Sequence, residues 1–503
     1  MAKDERMEKV VNLLERRGFI FASGQIYGSL AGFFDYGNYG TLLKRKIEQN
    51  WWNFFVGKRN DVAGIDGAIV SSQAIWNASG HLAEFSDPLI ECKKCHTRFR
   101  ADSLIEDELK ISLEGASLDN INKLILENKL ICQNCKGVLE IAKPFNLMFK
   151  TYVGASEDES ATAYLRPETA QMIFTNFKQV QMSSRKKLPF GIAQIGKAFR
   201  NEISPRNFVF RCREFSQMEM EFFMHPEKLD DCQINEDELG LEINVLTAKM
   251  QENKEKESKT TFAILLNGKS IGTKWHAYWI IKAYEWFLGL GIRKENLRLR
   301  QHVKTELSHY SFETWDLEYN YPWGWKELSG IANRGDYDLK AHMISSKKDL
   351  TYFDDETKIK VLPMVIEPSF GLERAFLTVI IDAFEEKMEG DEKKTILHLN
   401  PNTAPNECAV FPLMKKDGMA QKAIEIFEML RKNTACEYDE AGSIGKRYAR
   451  QDEIGTPYCL TIDYDTLKDE TITIRDRDST KQKRIKIGDC QSTLTALLNG
   501  AEF

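Results

Sequence analysis

Between Phe199 and Phe223 the chain reads FRNEISPRNFVFRCREFSQMEMEFF, with charged residues interleaved among phenylalanines. Read at period two, Arg211, Arg213, Phe215, Gln217, Glu219 and Glu221 share one face of a strand, and Cys212, Glu214, Ser216, Met218, Met220 and Phe222 share the other. An upstream arm, Phe190 to Glu202, and a loop through Pro205 and Asn207 complete a hairpin. A solvated edge hairpin laced with cross-strand ion pairs has no need of the aromatic residues. The expectation is an aromatic-walled, polar-floored groove for a charged ligand.

Arg200, Arg211, Arg213 and Arg374 lie on segments that read as core strands or a helix start, where an unpaired guanidinium is expensive. Either carboxylates or phosphate must neutralise them. EPSFGLER, Glu367 to Arg374, favours phosphate. Gly371 lets the backbone approach a flat ligand, and Arg374 opens a helix whose positive end repels it unless an anion lies between. Neither GxxxxGK[ST] nor GxGxxG occurs, so a bound nucleotide is expected on a sheet. A second chemistry is written in cysteine. Cys92 and Cys95 form one CxxC and Cys132 and Cys135 another, so four thiolates can close tetrahedrally on a structural Zn(II). His96 adjoins the first pair but is not needed to fill that shell.

These residues need large cores to position them, and 503 residues that are 42% hydrophobic and 29% charged supply several domains' worth. The net charge of -6 gives no global nucleic-acid signal, though a local basic patch suffices to contact phosphates. MAKDERMEKV lacks the apolar stretch of a signal peptide, no run approaches a membrane span, and the ten cysteines then suit a reducing cytoplasm. Gly40 to Val56 reads as an amphipathic helix with the stripe Leu43, Ile47, Trp51 and Phe54. The cysteine pairs bound a module from Glu91 to Glu140 around a charged amphipathic segment, Leu104 to Leu130. Lys249 to Lys259 is a solvated charge run, and Pro363 to Phe384 reads strand, turn, helix. Pro401 and Pro405 mark a linker. Beyond it, a strand (Ala409 to Leu413), a helix (Ala420 to Lys432) and β segments at Tyr458 to Ile462 and Thr471 to Ile474 make an α/β unit.

Taken together these segments resemble the class II aminoacyl-tRNA synthetases, and within them the dimeric glycine-specific type. FRNE followed by RCREFSQMEMEFF is similar to that class's second signature motif and GLER to its third. YLRPETAQ (Tyr164 to Gln171), WKELSGIANRGDYDL (Trp325 to Leu339) and IEPSFGLER resemble segments of the glycine enzyme. SIGKRYARQDEIGTPYCLTID and TITIRDRD resemble the anticodon-binding domain shared with the threonine, proline and histidine enzymes. In VSSQAIW, Val70 to Trp76, the proline usual near the end of the first signature motif is missing.

The resemblance implies an α+β fold. Residues 1–400 would form a class II catalytic domain on an antiparallel sheet, with a zinc-binding insertion at 91–140 and an insertion region at 224–350. Residues 401–503 would form an α/β anticodon-binding domain. The implied reaction is ATP-dependent attachment of glycine to the 3′ end of its tRNA through a glycyl-adenylate, in a cytoplasmic homodimer using Mg(II) and a structural zinc. The helix stripe and the strand after it would contribute to the dimer.

Carried onto this sequence, the resemblance gives Arg200 the α-phosphate, Phe215 the adenine, and Arg211 and Arg374 the outer phosphates. Asn201, Glu202, Phe210, Arg213, Glu214, Leu328 and Gly371 would complete the ATP site, with Glu327 helping to hold Mg(II). Glu168 and Glu219 would receive the glycine ammonium, while Gln217, Glu367 and Ser369 would line its pocket. Arg100 would meet the substrate from the insertion, and Arg206, in the turn of the hairpin, is placed either to touch the tRNA acceptor end or to stand as a solvated loop charge. Three rival readings stand beside it: a sister synthetase for another amino acid, which RPETAQ and EPSFGLER argue against; a zinc-ribbon RNA-binding module, which leaves the other motifs unexplained; and a non-catalytic, nucleic-acid-binding relative, which would be expected to lose Arg200, Arg211, Arg374, Glu168 and Glu219, all of which are present.

Overall fold

Strands whose side chains alternate between apolar and polar build one large sheet, seen in a computed structural model that describes residues 3–503 other than 112, 114, 115, 309 and 391. In chain order its strands are β1 (Val62–Gly64), β2 (Phe190–Phe199), β3 (Glu214–Met224), β4 (Glu242–Leu246), β5 (Ser258–Thr261), β6 (Leu297–Gln301), β7 (Glu313–Tyr321), β8 (Gly324–Gly335) and β9 (Met364–Gly371). The spatial order is β5-β4-β6-β7-β8-β9-β3-β2-β1. Every neighbouring pair is antiparallel except β4 with β6 and β1 with β2. The expected hairpin is β2–β3, with Phe190 opposite Phe223 and Phe199 opposite Glu214. Its loop is longer than expected: Arg211 and Arg213 precede the strand, and the turn holds a 3₁₀ segment, Phe208–Phe210.

The back face of this sheet is the main core. Met218, Met220 and Phe222 of β3, Phe370 of β9, Ile331 of β8 and Leu317 of β7 are wholly buried there. Helices α1 (Asn38–Trp52), α3 (Lys274–Gly289) and α5 (Leu372–Ala383) cover it. Trp279 of α3 lies 4.9 Å from Phe222 and Trp286 lies 5.2 Å from Phe370, ring centre to ring centre. Each such aromatic contributes about 1.5–3 kcal/mol by leaving water. Leu43, Ile47 and Trp51 of α1 join this core as expected, but α1 runs into a π-helical turn, Asn53–Gly57. The wider turn rotates the face by about one residue, so Phe55 is buried where Phe54 was expected. Leu43, Ile47 and Trp51 of the stripe are wholly buried within the chain, and Phe54 is partly buried against the same core.

The front face is divided. Helices α2 (Ala170–Ser184) and α4 (Tyr337–Ser346) cover an apolar half, where Phe174 and Phe177 pack on Phe190, Ile192, Phe223 and Val365. The other half is polar and carries the candidate site. Beside it stands the insertion, in which the strand Ser86–Glu91 pairs with Arg98–Arg100 and Lys143–Asn146. The amphipathic stretch between its cysteine pairs is two helices, Ala101–Leu109 and Leu118–Glu127, burying Leu104, Ile105, Ile121 and Ile125.

Toward the C-terminus a second sheet takes the order β11-β10-β12-β13-β14, from β10 (Cys408–Pro412), β11 (Cys436–Tyr438), β12 (Tyr458–Ile462), β13 (Thr471–Asp476) and β14 (Gln482–Lys486). Its first three strands are parallel and the last two antiparallel. Helices α6 (Met419–Leu430) and α8 (Cys490–Leu498) pack on one face and α7 (Ile444–Ile454) on the other. The expected linker is no open tether: Thr403, Ala404, Pro405 and Asn406 are buried. Polar contacts fasten the two parts, among them Tyr39 Oη to Glu437 at 2.8 Å, Lys46 to Glu407 at 3.0 Å and Arg16 to Glu453 at 3.1 Å. His398 bridges Glu385 at 3.0 Å and Asp478 at 2.6 Å. Among the described residues no helix is long and apolar enough to cross a membrane.

Candidate active site

Strand alternation sends Phe215, Gln217, Glu219 and Glu221 of β3 to the front face, and register sets Ser369 of β9 and Gln194 of β2 on either side of Glu219. Glu219 is 1% exposed. One of its oxygens accepts from Ser369 Oγ at 2.8 Å and, more weakly, from Gln217 Nε2 at 3.4 Å. The other accepts from the backbone N–H and the hydroxyl of Thr169. Glu168, beside that threonine, is buried with its carboxylate 3.3 Å from His81 Nε2 and accepts from Gln171 Nε2 at 2.9 Å. Burial opposes its ionisation, but His81, Arg334 and the Gln171 hydrogen bond outweigh it and hold Glu168 well below the usual carboxylate range.

Arg334, at the end of β8, is the buried cation of this pocket. It grips Asp338 with two nitrogens at 2.7 and 2.8 Å and Glu367 at 2.6 Å, beneath the ring of Tyr310 at 3.8 Å. Burial pushes Glu367 far above the usual carboxylate range despite Arg334, with Glu219 and Glu168 adding repulsion. The pocket thus gathers more carboxyl groups than cations and is complementary to a small cation.

The adjoining half of the face carries arginine and aromatic rings. Arg200 donates to the Pro167 carbonyl at 3.0 Å, and its guanidinium lies 5.2 Å from the Phe215 ring and 5.4 Å from Phe85. Arg374, at the start of α5, pairs with Glu327 at 3.0 Å and lies 4.6 Å over Phe210. Arg211 faces a cleft of about 610 Å³ shared with Arg100, Arg206, Phe210, Trp323 and Lys326. Among the described residues its guanidinium has no hydrogen-bond or ion-pair partner. Burial, aided by repulsion from Arg100 and Arg374, lowers its pKa. A half-buried, unpaired arginine of this kind is complementary to an anion. At Gly371 an added Cβ would meet only the Arg374 side chain, at ordinary contact distance.

Several expected site residues are engaged with the protein itself. Glu214 shares the back face with Ser216 and pairs with Lys197 at 2.9 Å, because the strand's alternation turns it away from Phe215. Arg213 lies before the strand and spends its guanidinium on the carbonyls of Glu202 and Ala31. Leu328 is buried in the back-face core, so only its backbone can reach the front. Asn201 is held by its N–H to the Leu147 carbonyl at 2.8 Å, and Glu202 is buried with one oxygen unpaired. Arg100 is clamped by Asp102 at 2.8 Å and Asp87 at 2.7 Å. His81, Thr169, Arg334 and Asp338 belong to the site but were not singled out from sequence. Thr169, Arg334 and Asp338 had only position as a signal, inside the quoted segments RPETAQ and NRGDYDL, and His81 lay outside both.

At the insertion the four cysteines do converge: the Sγ atoms of Cys92, Cys95, Cys132 and Cys135 lie within 4.8 Å of one another and could hold a metal ion. Each pair sits in a tight turn, closed by His96 N–H to Cys92 O at 3.0 Å and by Lys136 N–H to Cys132 O at 2.9 Å. A Cβ on Gly137 would come within 3.1 Å of two of the sulfurs, so that glycine keeps the space between them. His96 points away, to Glu91 at 3.0 Å.

Comparison with known proteins agrees with this layout. Residues 149–241 match the tRNA synthetase class II core domain (G, H, P, S and T), and residues 407–497 the anticodon binding domain. The glycine--tRNA ligase of Clostridium kluyveri is 46% identical over 97% of this chain and 98% of its own. That of Clostridium acetobutylicum is 46% identical over 98% and 99%. That of Caldanaerobacter subterraneus subsp. tengcongensis is 47% identical over 96% of each.

Proposed function

The chain belongs to the glycine--tRNA ligases, class II aminoacyl-tRNA synthetases that attach glycine to tRNA, and on that premise we propose how its residues divide the work. Glycine lies at the Glu168–Glu219 end of the front face and ATP at the Arg200–Arg374 end. The observation that carries this is the polarity of the face: an excess of buried carboxyls at one end, and at the other an unpaired Arg211 beside Arg200 and Arg374.

The ammonium of glycine sits between Glu168 and Glu219, displacing Gln217, the most weakly held of the donors to Glu219. Ser369 and Glu367 close the space where a side chain would project. Arg200 slides from Phe215 to the α-phosphate, freeing that ring to stack on adenine, and Arg211 and Arg374 take the outer phosphates. The glycine carboxylate attacks the α-phosphorus in line, pyrophosphate leaves, and Arg200 neutralises the charge that builds at the centre. The 3′-hydroxyl of the terminal tRNA adenosine then takes the glycyl group. Asn201, Glu202, Phe210, Gly371 and the backbone at Leu328 frame the nucleotide. Glu327 is the residue that would hold Mg(II), which when bound adds positive charge to the phosphates.

The four cysteines hold a structural zinc, a fit supported by their mutual approach and the space left by Gly137. Residues 401–503 act as the anticodon-binding domain on a catalytic body of residues 1–400, and Arg206 and Arg100 face the incoming acceptor end. The enzyme works as a homodimer in the cytoplasm, where its ten cysteines remain reduced. Ile26, Tyr27 and Leu30, 88%, 91% and 73% exposed, form the apolar surface that supports the dimer in place of the buried α1 stripe. Glycine-dependent exchange of labelled pyrophosphate into ATP tests the reading. Exchange should occur with glycine and with no other standard amino acid, and exchange without amino-acid selectivity would overturn it.

A further inference from the structure

One carboxyl group has no part in that division of work. Glu221 is 0% exposed, and among the described residues neither of its oxygens has a hydrogen-bond partner. It is not remote, because an oxygen of Glu221 lies within 4.8 Å of one from Glu219 and one from Glu367. Three carboxyls this close in a dry pocket cannot all be ionised.

The charges facing Glu221 can be read element by element. Glu219 comes from its own strand and Glu367 from β9, while the end of β8 and start of α4 bring Arg334 and Asp338. On the other side β2 presents Ile192 and Gln194, and α2 presents Phe174 and Gln171, none of which titrates. The far wall is Glu168 with His81, and His342 of α4 is held to Gln171 at 2.7 Å. Arg334 is shared between Asp338 and Glu367, Arg166 acts on Glu219 only at a distance while its guanidinium donates to the carbonyls of Lys197 and Gly67, and Glu168 faces His81, so the three carboxyls of Glu219, Glu221 and Glu367 have one shared cation in direct contact. Burial, with Glu367 and Glu219 close by, pushes Glu221 well above the usual carboxylate range.

We propose that Glu221 is a positioning residue of the amino-group pocket, holding a proton while the pocket is empty and releasing it when the substrate ammonium enters, so that glycine binding expels a proton. The inference rests on the reading that the ammonium lies between Glu168 and Glu219. The incoming positive charge takes over the neutralisation that the proton had supplied. In the step the O–H bond of the Glu221 carboxyl breaks, its electron pair stays on oxygen, and the proton passes to water and buffer. The ionised Glu221 then draws the ammonium deeper, against the wall that excludes side chains.

Calorimetric titration of the full-length protein with glycine alone, in two buffers of different ionisation enthalpy, counts the protons released. About one per glycine is expected near neutral pH, with affinity rising toward tenfold per pH unit between about pH 6 and about pH 8, where the substrate amine stays charged. E221Q should release none, show a flat profile, and approach the wild-type affinity only at the acid end. Glycine binding by the wild type without proton release overturns the proposal and needs no variant to fold. Release that persists in E221Q also overturns it, by moving the proton to Glu219 or Glu367. E219Q tests the pocket itself: glycine binding unchanged in that variant would sink the underlying reading instead.

Discussion

Replacing Glu219 with glutamine removes a charge and almost no volume, so its effect can be worked from the contacts. Four donors converge on the carboxylate: Ser369 Oγ at 2.8 Å, Gln217 Nε2 at 3.4 Å, and the N–H and hydroxyl of Thr169. An amide NH₂ must face one pair of them. Turned toward Thr169 it meets a backbone N–H that cannot become an acceptor. Turned toward Ser369 it meets a hydroxyl that can rotate to accept, and this is the orientation the variant should choose. The rearrangement costs on the order of 1 kcal/mol, the size of a neutral hydrogen bond. Glycine loses a charged partner for its ammonium, worth about 1.5–3 kcal/mol, so KM for glycine should rise roughly tenfold to 150-fold. KM for ATP should move by less than about threefold, since Arg200, Arg211 and Arg374 are untouched. Pyrophosphate exchange measured across both substrates separates the two. A glycine KM within twofold of wild type, or a loss shared equally with ATP, would show that Glu219 does not bind the ammonium.

Ser369→Gly should admit alanine measurably in the same assay while Ser369→Ala should not; both variants should also use glycine less well, because each loses a hydrogen bond to Glu219. Alanine rejected fully by Ser369→Gly would move the excluding wall to Glu367 or the backbone. Elemental analysis should find one zinc per chain, and Cys132→Ser should make residues 91–140 the first site of proteolysis while ATP binding persists; metal-free protein with four freely titrating thiols would refute the site. Asp478, with Glu385, raises the pKa of His398, so its contribution to stability is fully present below the unfolded value near 6.5 and is lost as pH rises through the higher folded value. The stability difference between wild type and His398→Gln, at most about 1 kcal/mol for so exposed a contact, should therefore shrink from about pH 6 to about pH 9, and a difference that grows would contradict it.

Much of this layout was legible because its signals are local. Alternation along Phe215 to Glu221 gave the polar front face directly, and Pro363 to Phe384 resolved into the strand β9 and the helix α5, which follow one another without the expected turn. Errors arose where one added residue or one tertiary contact reverses the local signal. A single π-helical turn exchanged Phe54 for Phe55, and strict alternation already assigned Glu214 to the back face, against the role that the resemblance gave it. Pro401 and Pro405 suggested a tether, yet Thr403 to Asn406 are buried, because two cores meet there. Arg334 and His81 could not have been located by pattern. Each is an ordinary polar residue until a carboxylate from a distant segment closes on it, and only the folded chain brings Glu367 to Arg334, beside its near neighbour Asp338, and Glu168 to His81.

The position of β9 between β8 and β3 also bears on how the protein is made. Strand β3 is central in the finished sheet, but its partner is encoded far downstream: Glu219 and Ser369 are 150 residues apart. At about 5–20 residues per second, a ribosome needs on the order of 8–30 s to cover that distance. During that interval β3 is a bare edge able to recruit strands from other nascent chains. Inward-pointing charges are one way natural sheets discourage such pairing. Glu219 and Glu221 lie on that strand, so the carboxyls proposed for the amino-group pocket also place charge on the edge of the unfinished sheet.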